Sequence, residues 1–211
     1  MLFRSSKMPC KTWSLQARET CPGSIDPFTK KVLEVCAGCY AMDGFYNMPN
    51  SKAVRDANRE DWKRLEWEDD MVAALAKETH FRWFDSGDVY HPALAFKIYN
   101  VMRRTPHVKH WLPTKSYNIP KIRRILDMMK SLPNVSVRFS SPSMMGEFGA
   151  EHGSTVIPYA EDETTATVCG AYSRDGKCGS CRLCWDKSVA VIAYPAHGTR
   201  MMAKVRRLKA A

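Results

Sequence analysis

The 211-residue sequence has no apolar run of membrane-spanning length. Its opening, MLFRSSKMPCKTW, lacks the sustained apolar core of a secretory signal. There is no internal repeat and no low-complexity tract, which argues against solenoids and linker-rich chains. The six histidines, His80, His91, His107, His110, His152 and His197, form no metal-binding pair on a recognisable helix face. The twelve methionines come without a His/Cys/Met constellation of blue-copper type. Acidic residues are missing from Lys187 onward, where six basic residues stand: Lys187, Arg200, Lys204, Arg206, Arg207 and Lys209. These absences argue against a membrane protein, a helix-borne histidine site and a blue-copper centre. They predict a chain that stays in a reducing cytoplasm, where thiols remain free.

What is present is cysteine. Eight cysteines fall in two groups: Cys10, Cys21, Cys36 and Cys39 early, and Cys169, Cys178, Cys181 and Cys184 late. The late group reads C-x8-C-x2-C-x2-C. Cysteines at two-residue gaps pair poorly with each other as disulfides, and their short tethers suit thiolates converging on one metal centre. Sulfur-only ligation suits an iron–sulfur cluster and zinc alike, so both metals stay open, as does the number of sites. Four protein ligands would close the late site, which would then support folding or relay electrons. In the early group Cys21, Cys36 and Cys39 are the expected ligands, and three ligands leave one position open for chemistry. Cys10 is read either as a buried small apolar residue or as a fourth ligand that would close that site.

The pattern predicts a single α/β domain over residues 1–211. An α/β core would span 1–165, a cysteine-rich metal-binding segment 166–188, and a final strand with a basic tail 189–211. Expected strands lie at 11–17, 81–84, 109–113, 135–140, 155–159 and 189–194. One long helical region is expected over 51–77. Leu94, Ile98, Val101 and Met102 mark a second helix, and Ile122, Ile125, Leu126 and Met129 a third. Alternating strands and helices imply a mostly parallel sheet, either open or a partial (β/α) barrel. The chain is short for a complete barrel of roughly 250 residues. In such folds functional groups gather at the carboxyl ends of strands. That rule singles out Asp85, Ser86, Asp88, Lys115, Arg138, Ser140 and Ser141.

Cys36-Ala37-Gly38-Cys39-Tyr40-Ala41 follows the first expected strand, and this C-x2-C-Y-A loop resembles the cluster-binding loop of the radical SAM superfamily. The resemblance implies a 4Fe–4S cluster on Cys21, Cys36 and Cys39. It also implies S-adenosylmethionine on the open iron, cleaved reductively to a 5′-deoxyadenosyl radical. Ser86, Gly87 and Asp88 stand where that superfamily places its contact to the cofactor's amino group. Lys115 and Arg138 stand where it takes further cofactor or substrate contacts. The first gap here is fourteen residues against the usual three, and Ser-Gly-Asp lacks the usual glutamate.

A closer resemblance runs along most of the chain. The order TWSLQA, TCPGS, CAGCYA, FRWFDSGDVY, WLPTKSY, VRFSSPS and KCGSCRLCW is similar to a bacteriophage family called gene product eighty-eight. It implies a phage origin and a place in the host cytoplasm, with no activity attached. The family's cysteine-rich loop and tail imply a metal role for both groups. The net charge of +10, with its basic tail, fits a nucleotide or nucleic-acid substrate. An electron donor would be a further partner. The alternative expectation is a non-enzymatic iron–sulfur or zinc protein that binds nucleic acid or a host factor.

Overall fold

The computed structural model describes residues 1–4 and 7–210. Strands β1 (Phe3–Arg4), β2 (Lys11–Trp13), β3 (His80–Trp83), β4 (Lys109–Thr114) and β5 (Val135–Phe139) lie side by side in that order. β1 is antiparallel to β2, and every other pairing is parallel. A second sheet has the order β6 (Ser154–Ile157), β8 (Ile192–Pro195), β7 (Thr167–Val168), and it too is parallel. A parallel bridge between Ser140 and Ser154 joins the two sheets. The result is an open α/β fold rich in parallel strands.

Alternation along the strands decides which side each residue serves. Phe81 and Trp83 turn toward the helices, while Arg82 points to the other face. The core on the helix side is aromatic at its centre. Trp13 meets Trp67, Trp83 and Phe84 edge-on, at centroid distances of 5.5, 6.1 and 5.7 Å. Helices α4 (Pro92–Arg104) and α5 (Pro120–Ser131) cover it with the stripes Leu94, Ile98, Val101, Met102 and Ile122, Leu126, Met129. Ile125 is only partly buried at the margin. Each helix opens on a proline, whose missing N–H costs nothing there. His110 lies inside this core between the Trp83 indole, which donates to it, and the Thr105 hydroxyl. Burial holds its pKa down to about 3, so it is neutral.

Two expectations need correction. The region 51–77 is two helices, α2 (Pro49–Asp61) and α3 (Trp67–Leu75). The Lys97 ammonium takes the carbonyls of Trp62 and Arg64, which holds the chain in a turn between them. The first strand stops at Trp13, because Phe84 turns left-handed (φ +55°) just where it bonds Trp13, and the ladder ends. The basic tail is a helix, α6 (Thr199–Lys209). Its Met201 and Val205 are buried against Val35 and Met144.

No helix among the described residues is long and apolar enough to cross a membrane.

Candidate functional site

The loop after β2 leads to Cys21 and is gripped by the turn after β3. Leu15 N–H donates to the Ser86 carbonyl and Asp88 N–H to the Thr20 carbonyl, each at 3.1 Å. Gly87 has φ +73°, and a Cβ there would stand 2.7 Å from both the Leu15 carbonyl and the Thr20 hydroxyl. Asp88 is buried. Its two carboxylate oxygens accept the Val89 N–H at 2.7 Å and the Lys115 N–H at 2.8 Å. Burial raises its pKa, and these bonds, with the Thr114 and Ser116 hydroxyls, oppose the rise. Asp88 is thus a brace between strand ends, already committed to the protein. The Ser86 hydroxyl is buried with no partner among the described residues.

Cys36 lies in the short helix α1 (Glu34–Ala37), and Cys39 N–H closes a turn onto the Cys36 carbonyl at 3.2 Å. Burial raises all three thiols, Cys21, Cys36 and Cys39. Asp88 and the other two thiols push Cys21 up further. Lys115 and Arg18 pull Cys36 and Cys39 the other way. Three thiols, one carboxylate and two cations therefore share one electrostatic neighbourhood at the carboxyl ends of the strands. Arg18, left-handed at φ +70°, had no sequence signal as a site residue.

Cys10 does not join them. It precedes β2, at the other end of that strand from Cys21. It is buried with Met8, Trp111 and Trp185, and Cys178, Cys184 and Tyr194 pack against this cluster. Burial pushes its thiol up to about 12, with Arg82 opposing and Cys178 adding to the rise.

Arg138 departs most from expectation. Its Nε donates to the Cys184 carbonyl, Nη1 to Gly153 and Val189, and Nη2 to Leu183 and Asp186, at 2.7 to 3.1 Å. A guanidinium has five N–H donors, so none remains for a cofactor or substrate. Arg138 is the clamp that seats the late cysteine segment on the sheet. Trp185 completes that seat, its indole donating to the Phe81 carbonyl at 2.8 Å. The late thiols lie across this seat. Cys169 follows β7 and hydrogen-bonds Ala193, beside Tyr194, whose hydroxyl is 3.4 Å from Cys184 Sγ.

A family model described as Gene product 88 matches residues 3–166. The chain belongs to the gene product 88 family. No curated protein matches the chain, and no solved structure matches it. The family match takes in Cys10, Cys21, Cys36 and Cys39 but ends before Cys169, so the late group lies outside the matched region.

In this gene product 88 protein the two thiol groups are linked by rings that the motifs did not flag. Tyr40, next to Cys39, stacks on His197 at 5.3 Å, and His197 meets Tyr172 at 4.7 Å. The Lys7 ammonium lies 4.6 Å from the Tyr172 centroid. Burial, and then Lys7, hold the His197 pKa down to about 4. Among the described residues, no three His, Cys, Asp or Glu side chains are grouped so as to hold one metal ion.

Proposed function

We propose that this gene product 88 protein is an iron–sulfur enzyme of radical SAM type, working in the host cytoplasm on a nucleotide or nucleic-acid substrate. One observation carries the reading: Cys21, Cys36 and Cys39 share a neighbourhood at the strand ends, while Cys10, the one early cysteine left over, lies elsewhere. Three thiolates with no fourth would leave one iron of a four-iron cluster open. A cluster and S-adenosylmethionine bound there would supply reductive cleavage of the cofactor.

The chain's own residues have separate tasks in this reading. Asp88 and Gly87 hold the Cys21 loop against the ends of β3 and β4. Lys115 and Arg18 offset the negative charge of the thiolates, which metal binding requires to be deprotonated. The Ser86 hydroxyl, without a partner among the described residues, and the Lys115 ammonium would meet a bound cofactor. Helix α6 packs Met201 onto Gly38, between Cys36 and Cys39, so its basic face borders the same loop. Phosphates held there would bring a nucleotide to the thiol site.

The test is anaerobic purification with iron, sulfide and zinc analysis, and electron paramagnetic resonance with and without S-adenosylmethionine. Bound iron whose spectrum changes with the cofactor supports the reading. Iron indifferent to the cofactor, or zinc alone after reconstitution, removes it.

A further inference from the structure

Two arginines stand on the sheet face opposite the helices, and they differ in what they hold. Arg138 has all five N–H donors on carbonyls. Arg82, on β3, uses two at most. Its Nη2 donates to the Tyr40 hydroxyl at 3.4 Å, its Nη1 lies 3.8 Å from Met8 Sδ, and its Nε is buried without a partner among the described residues. A thioether is a weak acceptor, and 3.4 Å is long for a bond from a charged donor. The guanidinium carbon sits 4.5 Å over the Trp111 ring, a contact that takes up no N–H donor. Burial opposes the charge on Arg82, and Tyr40 and Asp85 favour it. Yet the Asp85 carboxylate accepts the Ser14 and Tyr46 hydroxyls, and no carboxylate among the described residues forms an ion pair with Arg82.

A second cation stands close by. Lys7 precedes Met8, and its ammonium lies 3.4 Å from the Tyr172 hydroxyl and 4.6 Å from that ring's centroid. It too forms no ion pair with a carboxylate among the described residues. Rings join the two cations into a circuit. Tyr172 meets His197, His197 stacks on Tyr40, and Tyr40 reaches Arg82 through its hydroxyl. Met8 closes the circuit on the other side. The Tyr40 hydroxyl donates its proton to the Asp85 carbonyl at 2.7 Å, so towards Arg82 it accepts, which fixes that edge of the guanidinium. Lys7, Tyr40, Arg82 and His197 each keep part of their surface open, and Tyr172 is exposed, so solvent reaches this rim. Two neighbouring cations with spare donors and no paired carboxylate are poorly compensated until an anion joins them.

We propose that Arg82 and Lys7 bind a phosphate group of the substrate, the guanidinium fork taking two of its oxygens and the ammonium a third. A fork of parallel N–H donors matches two oxygens of one phosphate, and a second cation suits a dianion better than a carboxylate. The phosphate stands on this circuit of side chains alone. That a nucleotide carries it rests on the function proposed above. Tyr40 follows Cys39 directly, so a phosphate held here lies beside the early thiol loop. Helix α6 starts two residues after His197, so its basic residues continue from the same rim.

The test is titration calorimetry on the full chain, purified anaerobically, at fixed ionic strength. The probes are inorganic phosphate, acetate and adenosine 5′-monophosphate. Inorganic phosphate should bind saturably at one site per chain and acetate far more weakly, and the monophosphate should compete with phosphate. Arg82→Gln should weaken phosphate binding roughly tenfold or more, and Lys7→Gln severalfold. Lys121→Gln, at an exposed lysine opening α5, should leave it unchanged. Circular dichroism checks each fold. If Arg82→Gln does not fold, Lys7→Gln at its partly exposed position decides. No saturable phosphate site overturns the proposal, as does acetate binding equally well. Binding that survives both substitutions, or falls as much in Lys121→Gln, also overturns it. Arg82-dependent phosphate binding in a chain that holds no iron upholds this site while removing the proposed reaction. Iron that responds to S-adenosylmethionine in a chain without a phosphate site does the reverse.

Discussion

Gly23 lies directly against the main chain of Lys115: a Cβ on it would stand 2.1 Å from the Lys115 carbonyl oxygen. That contact is backbone on backbone, so no side chain can swing away to make room. It fastens the turn after Cys21 to the end of β4, where Lys115 faces the early thiols. Gly23→Ala should therefore displace the Cys21 turn, at about 1–3 kcal/mol for overpacking. The expected outcome is a lower thermal midpoint together with loss of the iron proposed for the early group. Unchanged iron content and midpoint would show that this contact does not position Cys21.

Arg138 gives the second prediction. Arg138→Met keeps much of the side-chain length and removes all five donors, leaving the Gly153, Leu183, Cys184, Asp186 and Val189 carbonyls without their guanidinium partner. An orphaned buried acceptor costs about 1–3 kcal/mol, and water will reach some of the five. A net loss of about 3 kcal/mol or more in urea unfolding is expected, with new protease cleavage between residues 177 and 190. Arg138→Lys should rescue little, since an ammonium cannot span five carbonyls. A stable, protease-resistant Arg138→Met chain would contradict the clamp.

The strands and core helices were legible because their burial follows simple periods. Phe81 and Trp83 flank an Arg82 that faces the other way, and Leu94, Ile98 and Val101 recur at helical spacing. The break after α2 was not legible, since it depends on Lys97, more than thirty residues downstream, reaching back to two carbonyls. Arg138 was misread for a related reason. A charged residue at a strand end looks available to a ligand, and the sequence does not display the carbonyls that converge on it. Cys10 is buried as a small apolar residue, one of the two alternatives its sequence left open, because an extended strand rising about 3.3 Å per residue carries it away from Cys21. Its partners, Cys178 and Cys184, lie at the far end of the sequence. The Met201–Val205 pair, four residues apart, does fit a helix face.

His110 makes stability depend on pH. Its folded pKa of about 3 lies below the ordinary histidine value of 6.5, so the unfolded chain binds the proton more tightly. The stabilisation is complete above pH 6.5 and is lost progressively as pH falls toward 3. A gap of about three and a half units corresponds to about 5 kcal/mol, reached only when the pH has fallen to about 3. His197, depressed to about 4, acts in the same direction. Urea midpoints at pH 7 and pH 4.5 should differ strongly in the parent chain and clearly less in His110→Asn, which cannot protonate. An equal pH dependence in both would mean that His110 does not stay neutral in the folded core.

The basic face of α6 is the remaining element with a measurable consequence. Met201 and Val205 face inward, and Arg200 and Lys209 pair with Asp43 and Asp162. Lys204, Arg206 and Arg207 are the charges left to meet phosphate. Arg206 and Arg207 are exposed in the last turn of α6, so replacing both with Gln should lower the thermal midpoint only slightly, by the small loss of favourable charge at the helix C-terminus. Binding to a single-stranded oligonucleotide should weaken, and the slope of log affinity against log salt should fall by about 0.7 for each phosphate no longer neutralised. Met201→Glu should act differently. It undocks the helix from Gly38 and the early thiol loop, so it should lower both the midpoint and the iron content. If the double Gln variant keeps its full affinity and salt slope, the proposed nucleic-acid substrate loses its support.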